Sequence, residues 1–180
     1  MDQFDYIIVG AGSAGCALAN RLSENTAVSV CLLEAGPVDN HPLIHAPFGF
    51  SLLTQHKKIN WCFETAVQER LNGRRGYQPR GRVLGGSSSV NAMVYIRGVA
   101  SDYDRWADAG ATGWSYRDVL PYFKKAQDQE RGEDEFHGTG GPLAVSDLRY
   151  RNPLSHMFLD AARQAGLPAN EDFNGASQEG

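Results

Sequence analysis

Cysteine is scarce in this 180-residue sequence: there are three, Cys16, Cys31 and Cys62, and they are far apart. Their odd number and the lack of a C-x-x-C spacing argue against a disulfide framework and a cysteine-based zinc site. Such cysteines are typical of proteins in a reducing compartment, where they pack as small side chains. We therefore expect a cytoplasmic protein, while peripheral contact with the inner membrane or with a quinone stays open.

Long hydrophobic runs and clusters of positive charge are also missing. No segment approaches the roughly 20 consecutive apolar residues that a membrane-spanning helix needs. The acidic N-terminus, residues 1–5, lacks the basic region of a secretory signal. The formal net charge is −4, and no lysine and arginine cluster forms a basic face, so no nucleic-acid partner is expected.

Histidine supplies no metal site either. His41 and His45 are four residues apart, but Pro42 and Pro47 disfavour the helix that would bring them together. The sequence therefore predicts no metal ligands.

The apolar pattern near the N-terminus predicts one parallel βαβ unit. A strand over Tyr6–Val9, a helix over 13–23 and a strand over 28–33 follow one another directly. A right-handed crossover places the first turn at the carboxyl edge of the sheet, where such folds bind ligands. Residues 36–81 are predicted to be mostly irregular, with a strand over 61–65 and a hairpin turn over 70–76.

Helical patterns return after residue 100. Ser101 opens a capping-box pattern for a helix that ends near Gly110. Ser115 opens another, and this second helix is expected to break or kink at Pro121. Two further elements are predicted: a strand over 143–145 and a helix over 153–165, which Asn152 and Pro153 begin.

The turn between the first strand and the helix has the pattern G-x-G-x-x-G, formed by Gly10, Gly12 and Gly15 around Ser13 and Ala14. Gly10 allows the tight turn, Gly12 lets the backbone approach a pyrophosphate, and Gly15 lets the helix pack close to the strand. The helix N-terminus offers free N–H groups and a positive dipole end to phosphates. This pattern in this context predicts a dinucleotide site.

Glu34 follows the second predicted strand, where a carboxylate can accept hydrogen bonds from ribose hydroxyls and repel a 2′-phosphate. NADP is therefore disfavoured, and NAD and FAD both remain at this point. A small residue and a glycine follow at once, as Ala35 and Gly36. That order resembles the FAD-binding members of this superfamily more than the NAD dehydrogenases.

A second glycine- and serine-rich loop runs from Gly81 to Asn91 and leads into an apolar segment. Gly85 and Gly86 permit close backbone approach, and the hydroxyls of residues 87–89 supply donors and acceptors. An NAD enzyme has no need of a second such loop. It suits a larger cofactor that the chain wraps from two sides.

Together these motifs resemble the glucose-methanol-choline (GMC) oxidoreductase family, and within it the choline dehydrogenase and alcohol dehydrogenase branch. Residues 5–15 and 81–91 carry the resemblance, and 95–104, 114–123 and 137–143 extend it along the chain. The resemblance implies bound FAD and oxidation of a small-molecule primary alcohol to an aldehyde. By position, it implies cofactor contacts at Gly10, Gly12, Ser13, Ala14, Gly15, Glu34, Ala35, Gly36, Arg82, Val83, Gly85, Gly86, Ser87, Asn91, Ala92, Met93 and Val94.

Val90 stands where some members of the family carry a histidine bonded covalently to the flavin, so non-covalent FAD is predicted. Two aromatic residues near these motifs, Trp61 and Tyr95, are expected to pack in the core rather than to form a cofactor wall.

The family's catalytic histidine lies near the C-terminus of much longer chains, and no counterpart occurs here. We therefore predict no catalytic residue in this chain, which would be an N-terminal part that binds FAD weakly alone. The expected fold is an incomplete α/β structure: an FAD-binding Rossmann-like βαβ unit (1–36), an irregular FAD-binding extension (37–110), and segments that continue the flavin domain and start an α+β substrate domain (111–180).

The sequence allows two alternatives to this function. The first is a truncated nucleotide-binding protein without catalysis of its own. The second is another flavoenzyme class, such as a disulfide reductase, which the absence of a C-x-x-x-x-C motif disfavours. The sequence predicts neither the particular alcohol, nor the electron acceptor, nor the oligomeric state.

Overall fold

The computed structural model describes residues 3–179; Met1, Asp2 and Gly180, at the outer ends of the first and last predicted domains, lie outside the described residues. The chain forms two compact units that divide between Val94 and Tyr95.

Unit 1 begins with the predicted βαβ crossover. Strand β1 (Tyr6–Val9) and strand β2 (Val30–Leu33) pair in parallel, and helix α1 (Ser13–Ser23) connects them. The second strand starts two residues later than predicted. Before it, the Val28 N–H closes a turn to Asn25 O at 3.0 Å, and the Ser29 N–H donates to the Asp5 carboxylate at 2.8 Å.

The rest of unit 1 is largely irregular, as predicted, around a small hydrophobic cluster. Leu53, Ile59 and Val83 are buried there, and Val90 packs against them. The predicted hairpin is present, although its first strand is shorter than expected because Cys62 adopts a left-handed conformation (φ 51°) ahead of the ladder. The elements are a 3-10 turn over Pro47–Gly49, α2 (Phe50–Leu53), β3 (Phe63–Glu64), a 3-10 turn over Glu69–Leu71, β4 (Tyr77–Gln78) and a 3-10 turn over Gly86–Ser89.

Unit 2 contains three helices and a short parallel strand pair in the described residues. These elements are α3 (Ala100–Asp108), α4 (Tyr116–Ala126), β5 (Gln127–Gln129), β6 (Leu143–Val145) and α5 (Pro153–Gln164), with β5 beside β6. Strand β5 was not predicted. Asn152 caps α5 as expected, since its Oδ1 accepts a hydrogen bond from Leu154 N at 2.9 Å.

Two predictions for the middle helices are wrong in detail. Helix α3 starts before Ser101, and the Val99 N–H donates to Asp102 Oδ2 at 3.2 Å. Helix α4 is capped by Ser115 as predicted, but it continues through Pro121, so the predicted break is absent and a kink there stays a prediction. One proline removes one backbone hydrogen bond, and packing of the helix face offsets that loss: Phe123 lies edge-on against Tyr103 of α3, with ring centroids 5.6 Å apart.

Arg97 joins several segments of unit 2 and is 7% exposed. Its Nη2 donates to Gln127 Oε1 at 2.6 Å and its Nη1 to Phe136 O at 2.7 Å, while its backbone N–H donates to Asn174 Oδ1 at 2.8 Å. Among the described residues, no helix is both long enough and apolar enough to cross a membrane.

Candidate cofactor-binding site

The glycine turn between β1 and α1 has the geometry that its sequence pattern predicts. Gly10 has a φ of 96°, which favours glycine. A Cβ at Gly15 would lie 1.9 Å from Gly10 O, so the close approach of helix and turn requires glycine there. A Cβ at Gly12 would meet nothing within 4 Å, so the turn is open on that side.

The first turn of α1 supplies backbone donors beside this opening. The Cys16 N–H donates to Gly12 O at 2.9 Å as the helix begins. The N–H groups of the three preceding residues, 13–15, have no acceptor within the helix, as at any helix N-terminus. These residues line the cleft described below, so their N–H groups and the helix dipole suit an anion such as a diphosphate.

Glu34 lies at the end of β2 and braces the same turn. Its Oε2 accepts a hydrogen bond from Ala11 N at 2.8 Å, and its Oε1 accepts one from Gly36 N at 2.9 Å. An ionised carboxylate has about four lone-pair positions, so acceptor capacity remains for ribose hydroxyls.

The second glycine loop packs directly on the first. The Gly85 N–H donates to Ala11 O at 2.7 Å. A Cβ at Gly86 would lie 2.8 Å from the Cα of Gly12, and Gly86 has a φ of 58°. The Gly81 N–H donates to Ser87 Oγ at 3.1 Å and fixes the start of the loop. The two motifs, separate in the sequence, form one surface within unit 1.

A cleft of about 1050 Å³ runs along this surface. Its volume is slightly above the range typical of small-molecule sites, about 300–1,000 Å³, which leaves room for a ligand as large as a dinucleotide. The ionisable side chains in its described lining are those of Glu34 and Arg80. Nine predicted site residues line it: Gly10, Gly12, Ser13, Ala14, Gly15, Glu34, Ala35, Gly86 and Ser87.

Two aromatic side chains form one wall of the cleft. Trp61 and Phe63 stack with ring centroids 5.7 Å apart and an interplanar angle of 6°. The Arg82 guanidinium lies 5.4 Å from the Trp61 ring. Trp61 is 44% exposed, so the expectation that it packs in the core is wrong. Phe63 and Arg80 also line the cleft and were not among the predicted site residues. The alternating pattern of residues 61–65 indicates that residues 61 and 63 share a face, but not which ligand that face meets.

Four other predicted residues lie behind the cleft. A Cβ at Gly36 would lie 2.0 Å from Arg82 O, and the Arg82 N–H donates to Ile59 O at 2.7 Å. Val83 is fully buried. Gly85 contacts the first turn through its backbone, as described above. These residues support the lining rather than forming it.

The last four predicted residues, 91–94, follow Val90. The Val90 side chain packs against the hydrophobic cluster and carries no group that could bond to a flavin. Asn91 and Met93 line a second cavity of about 220 Å³. Asn91 Oδ1 accepts a hydrogen bond from Met93 N at 2.8 Å. Ala92 and Val94 are exposed and line neither of these two cavities.

No group of three histidine, cysteine, aspartate or glutamate side chains within residues 3–179 could hold a metal ion. His137, in unit 2, is 1% exposed, and its Nδ1 lies 2.8 Å from Asp134 Oδ1. Its contacts are those of a structural residue.

Residues 4–180 match the family described as GMC oxidoreductase. The chain is 56% identical over 179 residues to alcohol dehydrogenase [acceptor] from Pseudomonas putida, covering 99% of this chain and 32% of that protein. It is 52% identical over 186 residues to mitochondrial choline dehydrogenase from Homo sapiens, covering 99% and 31%. The chain therefore spans about a third of the length of these curated relatives.

Solved structures show the same similarity. Pyridoxine 4-oxidase from Mesorbium loti superposes with a TM-score of 0.88 at 40% identity, over 96% of this chain and 34% of that one. An FAD-dependent oxidoreductase from Chaetomium thermophilum gives a TM-score of 0.84 at 32% identity, over 99% and 32%. The predicted Rossmann-like fold class is confirmed by these matches.

Proposed function

The chain belongs to the GMC oxidoreductase family, and from that membership we propose that it is the N-terminal, FAD-binding part of an enzyme that oxidises a primary alcohol to an aldehyde. The proposed substrate class is choline or another aliphatic or aryl alcohol; the names of two relatives, an alcohol dehydrogenase and a choline dehydrogenase, support an alcohol such as choline. The observation that carries the proposal is the single cleft into which both glycine loops and Glu34 face.

The residues of the cleft fit FAD. The α1 N-terminus and the open side of Gly12 suit its diphosphate, and Glu34 suits a ribose. Arg80 adds a positive charge to the same lining. When bound, FAD supplies the two-electron chemistry by accepting a hydride from the alcohol carbon. The chain itself binds and orients the cofactor, and the stacked Trp61 and Phe63 keep one side of the cleft apolar.

The remaining parts of the proposal concern organisation and location. Residues 1–36 form the FAD-binding βαβ unit, residues 37–110 its extension, and residues 111–180 continue the flavin domain and start the substrate domain. The eight predicted contacts outside the cleft lining would support the lining or meet the cofactor beyond it: Gly36, Arg82, Val83, Gly85, Asn91, Ala92, Met93 and Val94. The wide spacing of the free cysteines favours the cytoplasm, and peripheral contact with the inner membrane or a quinone is part of the same proposal.

Non-covalent attachment of the flavin is the first testable outcome. Because Val90 offers no nucleophile, acid precipitation of the FAD-loaded whole protein should release the flavin into the supernatant, as absorbance at the flavin maximum would show. Flavin retained in the washed precipitate would contradict this part of the proposal.

The reaction is tested on the whole protein by mixing it anaerobically with choline, short and long alkanols, and aryl alcohols. We expect bleaching of the flavin by at least one of these alcohols, and reoxidation with oxygen or a quinone then identifies the acceptor. The isolated 180-residue chain should bind FAD weakly and oxidise none of them. A whole protein that binds FAD but is reduced by no alcohol would favour nucleotide binding without alcohol chemistry.

A further inference from the structure

Two serine hydroxyls join the two glycine loops. Ser13 is the first residue of α1, and Ser88 lies in the 3-10 turn over Gly86–Ser89. Their Oγ atoms form a hydrogen bond although the residues are 75 positions apart in the chain. This contact accompanies the backbone contacts that Gly85 and Gly86 make with residues 11 and 12.

The two serines face different spaces. Ser13 lines the large cleft, whereas Ser88 lines the second cavity. The backbone of Ser88 is held by its own loop, because its N–H donates to Gly85 O at 3.2 Å. The hydroxyl of Ser88 can therefore fix the side chain of Ser13 without reaching a ligand in the cleft itself.

We propose that Ser88 is a positioning residue for the nucleotide: it holds the first turn of α1 against the second loop, so that the donors of both loops converge on one anion. The proposal rests on the proposed function, since it assigns Ser88 to the same FAD site. Without this bond the Ser13 side chain and the first turn gain conformational freedom. Nucleotide binding must then restrict that freedom, which lowers the affinity.

The test measures ADP and FAD affinity of the whole protein, freed of bound flavin, by calorimetric titration, with melting temperature recorded in the absence of nucleotide. Ser88→Ala removes one hydrogen bond of ordinary strength, so the variant should bind ADP about 3- to 10-fold more weakly than the wild type. Ser88→Thr keeps the hydroxyl and should restore the affinity to within about twofold. Ser51→Ala is the matched control, since its Oγ donates locally to Phe48 O at 2.9 Å, and it should leave ADP affinity unchanged.

A double-mutant cycle separates positioning from general stability. In a Ser13→Ala background, Ser88→Ala should have no further effect on ADP affinity, because the bond is already absent. Equal affinities of wild type and Ser88→Ala would overturn the inference. So would additive effects, or a Ser88→Ala defect that threonine does not restore and that parallels a loss of melting temperature. A wild-type whole protein that binds neither ADP nor FAD would instead contradict the proposed function.

Discussion

The Glu34 side chain accepts hydrogen bonds from two backbone N–H groups, that of Ala11 in the glycine turn and that of Gly36 after β2. Its position beside the glycine turn therefore follows from hydrogen bonds to the protein's own backbone. If Glu34 faces the ribose, as proposed, its negative charge makes the same carboxylate a selectivity element, since a 2′-phosphate placed there would be repelled.

We predict that Glu34→Gln reduces the preference of the chain for ADP-ribose over 2′-phospho-ADP-ribose by about tenfold, roughly 1.4 kcal/mol. Glutamine keeps the side-chain length but only one acceptor oxygen, so a backbone hydrogen bond from Ala11 N or Gly36 N is lost together with the charge. That loss weakens the binding of both ligands, so the ratio of the two affinities reports the charge. Calorimetric titration of both ligands measures the ratio. Glu64→Gln, on the exposed strand β3, is the control, and an unaltered ratio in Glu34→Gln would refute the role of the charge.

At the scale of the structural elements, the buried side-chain amide of Asn60 holds the irregular middle of unit 1 in place. Asn60 is 3% exposed. Its Nδ2 donates to the carbonyls of Leu53 and Thr54 at the end of α2, and its Oδ1 accepts from Cys62 N and Arg80 N. Trp61, which lines the cleft, lies between Asn60 and Cys62 in the sequence. The hydrogen bonds of the Asn60 amide therefore fix the edge of the cleft.

Asn60→Ala should lower the free energy of unfolding by about 3 kcal/mol, because it leaves buried backbone donors and acceptors without partners. Urea denaturation measures the change. Asn25→Ala serves for comparison, since Asn25 is exposed and its Oδ1 accepts only a local bond from Ala27 N at 3.1 Å; it should cost less than about 1 kcal/mol. Similar losses in both variants would contradict a special role for Asn60.

At the scale of the whole molecule, carboxylates in both units favour the folded state at neutral pH. Hydrogen bonds from Ser29 lower the pKa of Asp5, and the Arg131 guanidinium lowers the pKa of Asp147. Partial burial raises the pKa of Asp134, but hydrogen bonds from the His137 ring and nearby N–H groups outweigh it and hold that pKa below its usual value.

Each of these groups has a lower pKa folded than unfolded, so its stabilisation is present above the unfolded value of about 3.9 and is lost as the pH falls through the folded value. We therefore expect the melting temperature to fall as the pH is lowered from about 5 to 3. Asp147→Asn should flatten that dependence, whereas Asp108→Asn, on the exposed end of α3, serves as the control. A wild-type melting temperature that stays constant over this range would contradict the prediction.

The sequence by itself determined the βαβ unit, the glycine turn and Glu34. These depend on local spacing: the apolar period of neighbouring strands and helix, the glycines that a tight turn needs, and an acid at the end of the second strand. Helix caps such as Ser115 and Asn152 were equally predictable, because a cap acts within one turn of its own helix.

Only the tertiary structure decided what else reaches the cleft. Arg80 and the stacked Trp61 and Phe63 line it because Asn60 holds two irregular segments together, and no periodic pattern encodes such a crossing. Ser88 meets Ser13 only because the second loop returns to the first turn. Pro121 stays inside α4 because packing of that helix outweighs one lost hydrogen bond. Long-range contacts of this kind depend on the path of the whole chain, so the sequence identified the cofactor turn while the fold determined what surrounds it.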